Sequence, residues 1–193
     1  MKNKKTIAAV CGIIGVIVLV VVAMYGSTYN SLNSKRSDVE AQWAQVENVM
    51  QRRADLVPNL VSTVKGQMKH EQKIIDAVTD ARSAYAKATT PNEKLAADDA
   101  IKENTQVLVN AVTENYPDLA SSQSVQTLMT QLEGSENRIS VERRRYIEDV
   151  NSYNKKVSSF PASVTAGQMG FHKIDQYKAT AKNADQAPTV SFD

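Results

Sequence analysis

The chain opens on an unbroken apolar run, Ile7 to Tyr25, and then changes to single apolar residues recurring at steps of three and four. The run carries no charge and consists mostly of Ile, Val, Leu, Ala and Gly. At ~1.5 Å of rise per residue its 19 residues span roughly 28 Å as a helix, the hydrocarbon thickness of a bilayer. A buried helix of a soluble domain would need a large protein around so continuous a stretch. A cleavable signal peptide fits the basic start, but this run exceeds the usual apolar length, and Ala23 to Ser27 offers no convincing small-x-small cleavage site. Too little apolar sequence precedes Cys11 for a lipid-attachment site. The pattern predicts an uncleaved transmembrane helix over 7–25, after a short basic tail over 1–6.

The repeat that follows predicts helices with one apolar face. Tyr29, Leu32, Val39, Trp43, Val46 and Met50 form its first segment, and Val57, Val61, Val64, Met68, Ile75, Val78 and Tyr85 its second. Ile101, Thr105, Leu108 and Val112 follow, then Val125, Leu128, Leu132, Ile139, Tyr146, Val150, Tyr153 and Val157. Such steps lay a stripe along one helix face, as in bundles and coiled coils. No stretch between Ser27 and Phe160 alternates as a strand would. The expected fold is all-α: the anchor, then an elongated antiparallel bundle over 26–160 and an irregular tail over 161–193 that docks parts of itself on the bundle, with a short helix near 172–182.

Breakers divide the bundle into four expected helices, 27–55, 57–89, 91–115 and 119–160. Thr90-Pro91-Asn92-Glu93 has the chemistry of a capping box, with Thr90 as N-cap, Pro91 at the first helical position and Glu93 closing the box. Tyr116-Pro117 should end that helix, because the residue before proline is pushed out of the α region. Pro58 lacks a donor and clashes with the Ala54 carbonyl, so it either opens a turn or kinks one long helix made of the first two.

Composition narrows the partners. Removing the three lysines ahead of the apolar run leaves 20 basic against 21 acidic residues, a net of −1. So even a balance argues against a nucleic-acid binder, which would gather its charge into a basic surface. The single cysteine excludes an internal disulfide and a cysteine-based zinc site. Lys2, Lys4 and Lys5 precede the run, and only Lys35 and Arg36 follow closely, which places the N-terminus in the cytoplasm and the bundle outside it. Ala8-x-x-x-Gly12 and Cys11-x-x-x-Gly15 have the small-residue spacing of helix contacts in lipid.

Candidate chemistry is sparse. His70-Glu71 begins like a zinc-protease motif, but Ile74 stands where the second histidine is needed. Glycine-rich phosphate loops, a nucleophile elbow and paired E-x-x-H are missing from the sequence. No enzyme activity, metal or cofactor is expected. The conspicuous residues are charges on the apolar stripe: Arg36, Arg53, Glu71, Arg82 and Glu142. They either snorkel at the stripe edge or pair across helices and fix register. In Gln51 to Leu60, Asp55 could cap a new helix, Asn59 could satisfy carbonyls freed by Pro58, and Arg52 and Arg53 could form a docking surface.

These residues fall in a set of ordered motifs. They are Tyr29-Asn30, WAQVENVMQRRADLVPNL from Trp43, VKGQMKHE from Val64, Ala81-Arg82, ENYPDL from Glu114 and LEGSENRIS from Leu132. RRRYIEDVNSYN from Arg143, Phe160-Pro161 and Gly170-Phe171 complete it. Over nearly the whole chain the sequence resembles the LemA family of bacterial membrane proteins, departing from its usual Asn at Ile147. The resemblance implies one N-terminal membrane helix and an elongated helical bundle, and brings no catalytic residues. It also implies an outward-facing N-terminus, against which the charge balance is followed here. Structural or interaction roles are expected for Trp43, Arg52, Arg53, Asp55, Pro58, Asn59, Glu71, Arg82, Tyr116, Pro117, Glu142, Tyr146, Tyr153 and Asn154. The expected function is a non-enzymatic scaffold of the bacterial inner membrane, held in the bilayer by 7–25 and associating with itself. An adaptor for a membrane protease or signalling protein is the alternative, and a metal-dependent hydrolase a distant third.

Overall fold

The computed structural model describes residues 2–175, and among them every regular element is a helix. Helix α1 runs Lys2–Val64, α2 Gln72–Lys87 and α3 Pro91–Asn115; α4 is the single turn Pro117–Ala120, α5 runs Gln123–Ser158, and α6 is a second short turn, Ala162–Thr165. These residues form two compact units. One holds residues up to Gln42 together with Tyr146–Asp175, the other Trp43–Arg145.

Three expected boundaries are corrected. The anchor and the first bundle helix are one element, which already begins at Lys2, inside the expected basic tail. Gly26 and Ser27 do not break it, since an interior glycine costs only about 1 kcal/mol against alanine. Pro58 does not end it either: α1 passes through the proline with its ring exposed. The lost hydrogen bond is outweighed there by Val57, Leu60 and Val64, all buried on the opposite face. The break comes instead at 65–71, where Lys65-Gly66-Gln67 interrupts the helix and Met68 is still drawn into the core. Neither the expected turn at 56 nor a single kinked helix to 89 is therefore present.

The unit built on Trp43–Arg145 is a four-helix arrangement of α1, α2, α3 and α5. Val46, Met50, Val57, Leu60, Val64, Ile75, Val78, Ile101, Leu108, Val112 and Val125 fill its core; all but Leu60 belong to the apolar stripe read from the sequence, and Leu60 is buried where Val61 was expected. Glu47 pairs with Lys94 and Arg53 with Asp98, so α1 and α3 run in the same direction. Arg143 pairs with Asp99 and Lys102 with Glu136, so α3 and α5 are antiparallel. The capping box forms as expected. Glu93 N–H donates to Thr90 Oγ1 at 3.3 Å, and Thr90 N–H donates to Glu93 Oε2 at 3.1 Å. The Thr89 N–H, the Thr90 N–H and the Thr89 hydroxyl all donate to the Glu93 carboxylate and hold it below its usual pKa. Tyr116 closes α3 through its N–H to Val112 O, and Pro117 restarts the chain as α4.

In the other unit α1 buries Thr28, Leu32 and Val39, and α5 buries Tyr146, Val150, Tyr153 and Val157. The segment after α5 folds back onto this pair. Gly170, at φ 78, takes the left-handed turn that a side chain would resist, and Phe171 N–H returns to Ala166 O at 2.9 Å. Phe171 is thereby buried edge-on against Tyr29, with ring centroids 5.5 Å apart. Part of the expected irregular tail is thus ordered. Residues 171–175 have no regular structure, and the rest of the helix expected near 172–182 lies outside the described residues.

Candidate functional site

Of the charges on the apolar stripe, Arg53 enters a buried ion cluster centred on Asp98 of α3. Leu95, Asp98, Ile101, Thr105 and Leu108 all lie on the buried face of α3, and Asp98 is 0% exposed. Arg53 comes from α1, itself only 3% exposed. Its Nη1 lies 3.2 Å from Asp98 Oδ1 and donates to the Asp98 carbonyl at 3.3 Å, and its Nη2 donates to Glu136 of α5. Arg143, also on α5, donates from Nη2 to Asp98 Oδ2 at 3.0 Å and to Leu95 O at 3.1 Å, and from Nη1 to Asp99 Oδ1 at 2.6 Å. Lys102 closes the cluster on Glu136 Oε1 at 2.5 Å. Three cations and three carboxylates tie α1, α3 and α5 together.

Burial dominates the electrostatics of Asp98. Removal from water pushes its pKa up to about 6, although Arg53 and Arg143 pull it down; Asp99 and Glu136 add to the rise. Tyr85 on α2, which Lys94 approaches to 5.9 Å from the ring centroid, is pushed up to about 12 by burial and then by the Asp98, Glu47 and Asp55 carboxylates. Beside the cluster a cavity of ≈ 390 Å³ opens between Arg53, Lys102, Thr105 and the α5 side chains Met129, Leu132 and Glu136. The Thr105 hydroxyl is buried there with no hydrogen-bond partner among the described residues, and the space is ample for water. No group of three or more His, Cys, Asp or Glu is placed to hold a metal ion among the described residues.

Arg53 is the sequence-derived candidate that this cluster uses as a cross-helix partner. Arg36 pairs along its own helix with Glu40 at 3.0 Å, and Glu142 with Arg145 at 2.9 Å. Arg82 is exposed because Ala81 takes its place on the buried face. Glu71 is half-buried at the start of α2. Asp55 is an exposed mid-helix residue bonded to Gln51 at 2.8 Å, not a cap. Asn59 contributes its own carbonyl, which accepts from Ser62 and Thr63, so the expected role of its side chain at Pro58 is not seen. Arg52, Pro58 and Asn59 are exposed, while Trp43 and Tyr116 are half-buried. Tyr146 is buried, which raises its pKa.

Tyr153 and Asn154 have a definite task in the other unit. Tyr153 Oη donates to His172 O at 2.9 Å. The Asn154 amide bonds Ile174 in both directions, donating to its carbonyl at 2.8 Å and accepting its N–H at 2.9 Å. One side-chain amide thus docks the post-helical segment as a strand partner would.

The sequence reading missed Asp98, Glu136 and Arg143. Carrying the α3 stripe back from Ile101 by three and six residues reaches Asp98 and Leu95, so a signal for Asp98 was present. Between Ile139 and Tyr146 the stripe position is equally well filled by Glu142 or Arg143, and the structure uses Arg143 inward.

An all-helical body braced by a buried ion network, continuous with a helix apolar enough to cross a membrane, defines a membrane-associated helical protein. The chain belongs to the LemA family, whose model matches residues 42–192. Two relatives, magnetosome proteins MamQ 1 and MamQ 2 of Paramagnetospirillum magneticum, are each 24% identical over 188 aligned residues, covering 84% of this chain and 68% of theirs. Magnetosome protein MamQ of Magnetospirillum gryphiswaldense is 22% identical over the same shares.

Proposed function

We propose that this chain is a non-enzymatic scaffold, anchored by one transmembrane pass over residues 7–25 and acting through association of its helices, including with copies of itself. The observation that carries the reading is how the core charges are spent. Arg53, Asp98, Glu136 and Arg143 engage one another across three helices, which fits a role in fixing helix register at a cost in stability. Self-association draws support from the anchor. Beyond their own helix backbone and chain neighbours, nothing among the described residues lies within 4 Å of where a Cβ would stand on Gly12 or Gly15, so packing among those residues does not require their smallness. Small residues at this spacing let a second membrane helix approach closely. The basic residues ahead of the span favour a cytoplasmic N-terminus and a body outside the cytoplasm.

The test is the mass of the full chain in several detergents and in lipid nanodiscs. A defined oligomer persisting in nanodiscs is expected; a monomer under all of these conditions would remove self-association.

A further inference from the structure

Where the apolar run of α1 ends, a short turn from the far end of the chain lies alongside it. Val21, Met24, Tyr25 and Thr28 of α1 and Phe160, Pro161, Val164 and Thr165 line a hollow of ≈ 330 Å³. A second hollow of ≈ 480 Å³ shares Met24, Thr28 and Pro161 with the first, and adds Val20 and Lys156. This turn exposes apolar side chains that nothing in the described chain covers: Phe160 is 80% exposed and Val164 67%. Both stand outside the buried face formed by Ala162, Ala166 and Phe171. Tyr25, at 43% exposure, adds an aromatic at the same level.

We infer that the Phe160–Thr165 turn is a second membrane contact, dipping Phe160 and Val164 into the bilayer interface beside the anchor, with a phospholipid seated in the adjoining hollows. The occupant follows from continuity. The α1 side of both hollows is the last part of the apolar span, so whatever surrounds Val20, Val21 and Met24 also bathes Phe160 and Val164. Lys156 lines the second hollow and supplies a cation there that can meet a lipid phosphate. Apolar and aromatic side chains flanked by lysine are the combination that interfacial segments present to lipid. The burial of Phe171 against Tyr29, and the bonds of Tyr153 and Asn154 to residues 172–174, brace the segment that follows this turn.

The inference rests on residues 7–25 lying in the bilayer, and nitroxide accessibility separates the two claims. Single cysteines are placed by Phe160→Cys, Val164→Cys and Val18→Cys in a Cys11→Ser background. Each full-length protein is spin-labelled and reconstituted in vesicles of phosphatidylethanolamine and phosphatidylglycerol. Collision with oxygen, which partitions into lipid, is compared with collision with a water-soluble nickel chelate. Labels at Phe160 and Val164 are expected to favour oxygen, at a shallower depth than the label at Val18. If the label at Val18 is in lipid while those at Phe160 and Val164 collide freely with the chelate, the turn lies in water and the inference fails. Protection from both reagents would mean that protein, such as a second copy, covers the turn, which also overturns it. If the label at Val18 also meets the chelate, anchoring itself is refuted and the second contact with it. All three sites are exposed, so the labels do not disturb a core.

Discussion

Replacing Arg53 with methionine isolates what the buried cluster does. The substitution keeps the length and apolar packing of the side chain. It removes the guanidinium that faces Asp98 Oδ1 at 3.2 Å and bonds Glu136. Glu136 retains Lys102, and Asp98 retains Arg143, but a carboxylate with no exposure then has one cation where it had two. Breaking a buried pair from one side costs about 3–5 kcal/mol. The Asp98 side of that cost depends on its being charged, and so on pH. With a folded pKa of about 6 against an ordinary 3.8, Asp98 takes up a proton more readily folded than unfolded. In the natural protein its contribution to stability is therefore fully present below its unfolded pKa and is lost as pH rises through 6, about 3 kcal/mol over that window. Removing Arg53 pushes the folded pKa higher still. The penalty of Arg53→Met should then be largest near pH 7.5 and shrink toward pH 5, where Asp98 is protonated and needs its partner less. Urea titrations of the full chain in micelles measure this, followed by far-UV circular dichroism and by fluorescence of Trp43, the one tryptophan. Urea is uncharged and leaves ion pairs unscreened. A penalty below about 1 kcal/mol, typical of an exposed pair, or one that does not change between pH 5 and 7.5, would refute the reasoning.

Other outcomes follow from local geometry. Asp98→Asn should flatten the dependence of stability on pH between about 4 and 6, measured by the same titrations, because it removes the titrating group. Thr90→Ala should cost about 0.5–2 kcal/mol by opening the capping box, while Thr90→Ser restores most of it. Asn154→Ala should release residues 172–174 with little effect on α5, read as faster amide exchange at Ile174 than in the natural protein.

Most of the packing was legible because the apolar stripe is nearly continuous. Val39, Val46, Met50, Val57, Val64, Met68, Ile75, Val78 and Tyr85 were all read as core and are all buried. The Thr90 box was equally plain, since its residue types have few other uses at that spacing. Pro58 left both a turn and a kinked continuous helix open, and the helix does run through it, whereas the weaker-looking Lys65-Gly66-Gln67 is where helix α1 stops. Asp98 was hidden by its context. In Ala96-Ala97-Asp98-Asp99-Ala100 two adjacent carboxylates look like a solvated face, and only their arginine partners, 45 residues away on either side, make one of them buried. Pairing at that range leaves no periodic trace in a single sequence. The docking role of Asn154 was hidden for a similar reason, since its partner lies 20 residues on in a segment without helical pattern.

One measurement bears most directly on the central claim, that the apolar helix anchors a helical body on the outer side of the membrane. A single cysteine is placed at the exposed Arg52 in a Cys11→Ser background, and intact cells are treated with a membrane-impermeant maleimide able to reach the periplasm. The account predicts labelling in intact cells, with the protein in the membrane fraction. Labelling only after lysis would put the body in the cytoplasm and contradict it.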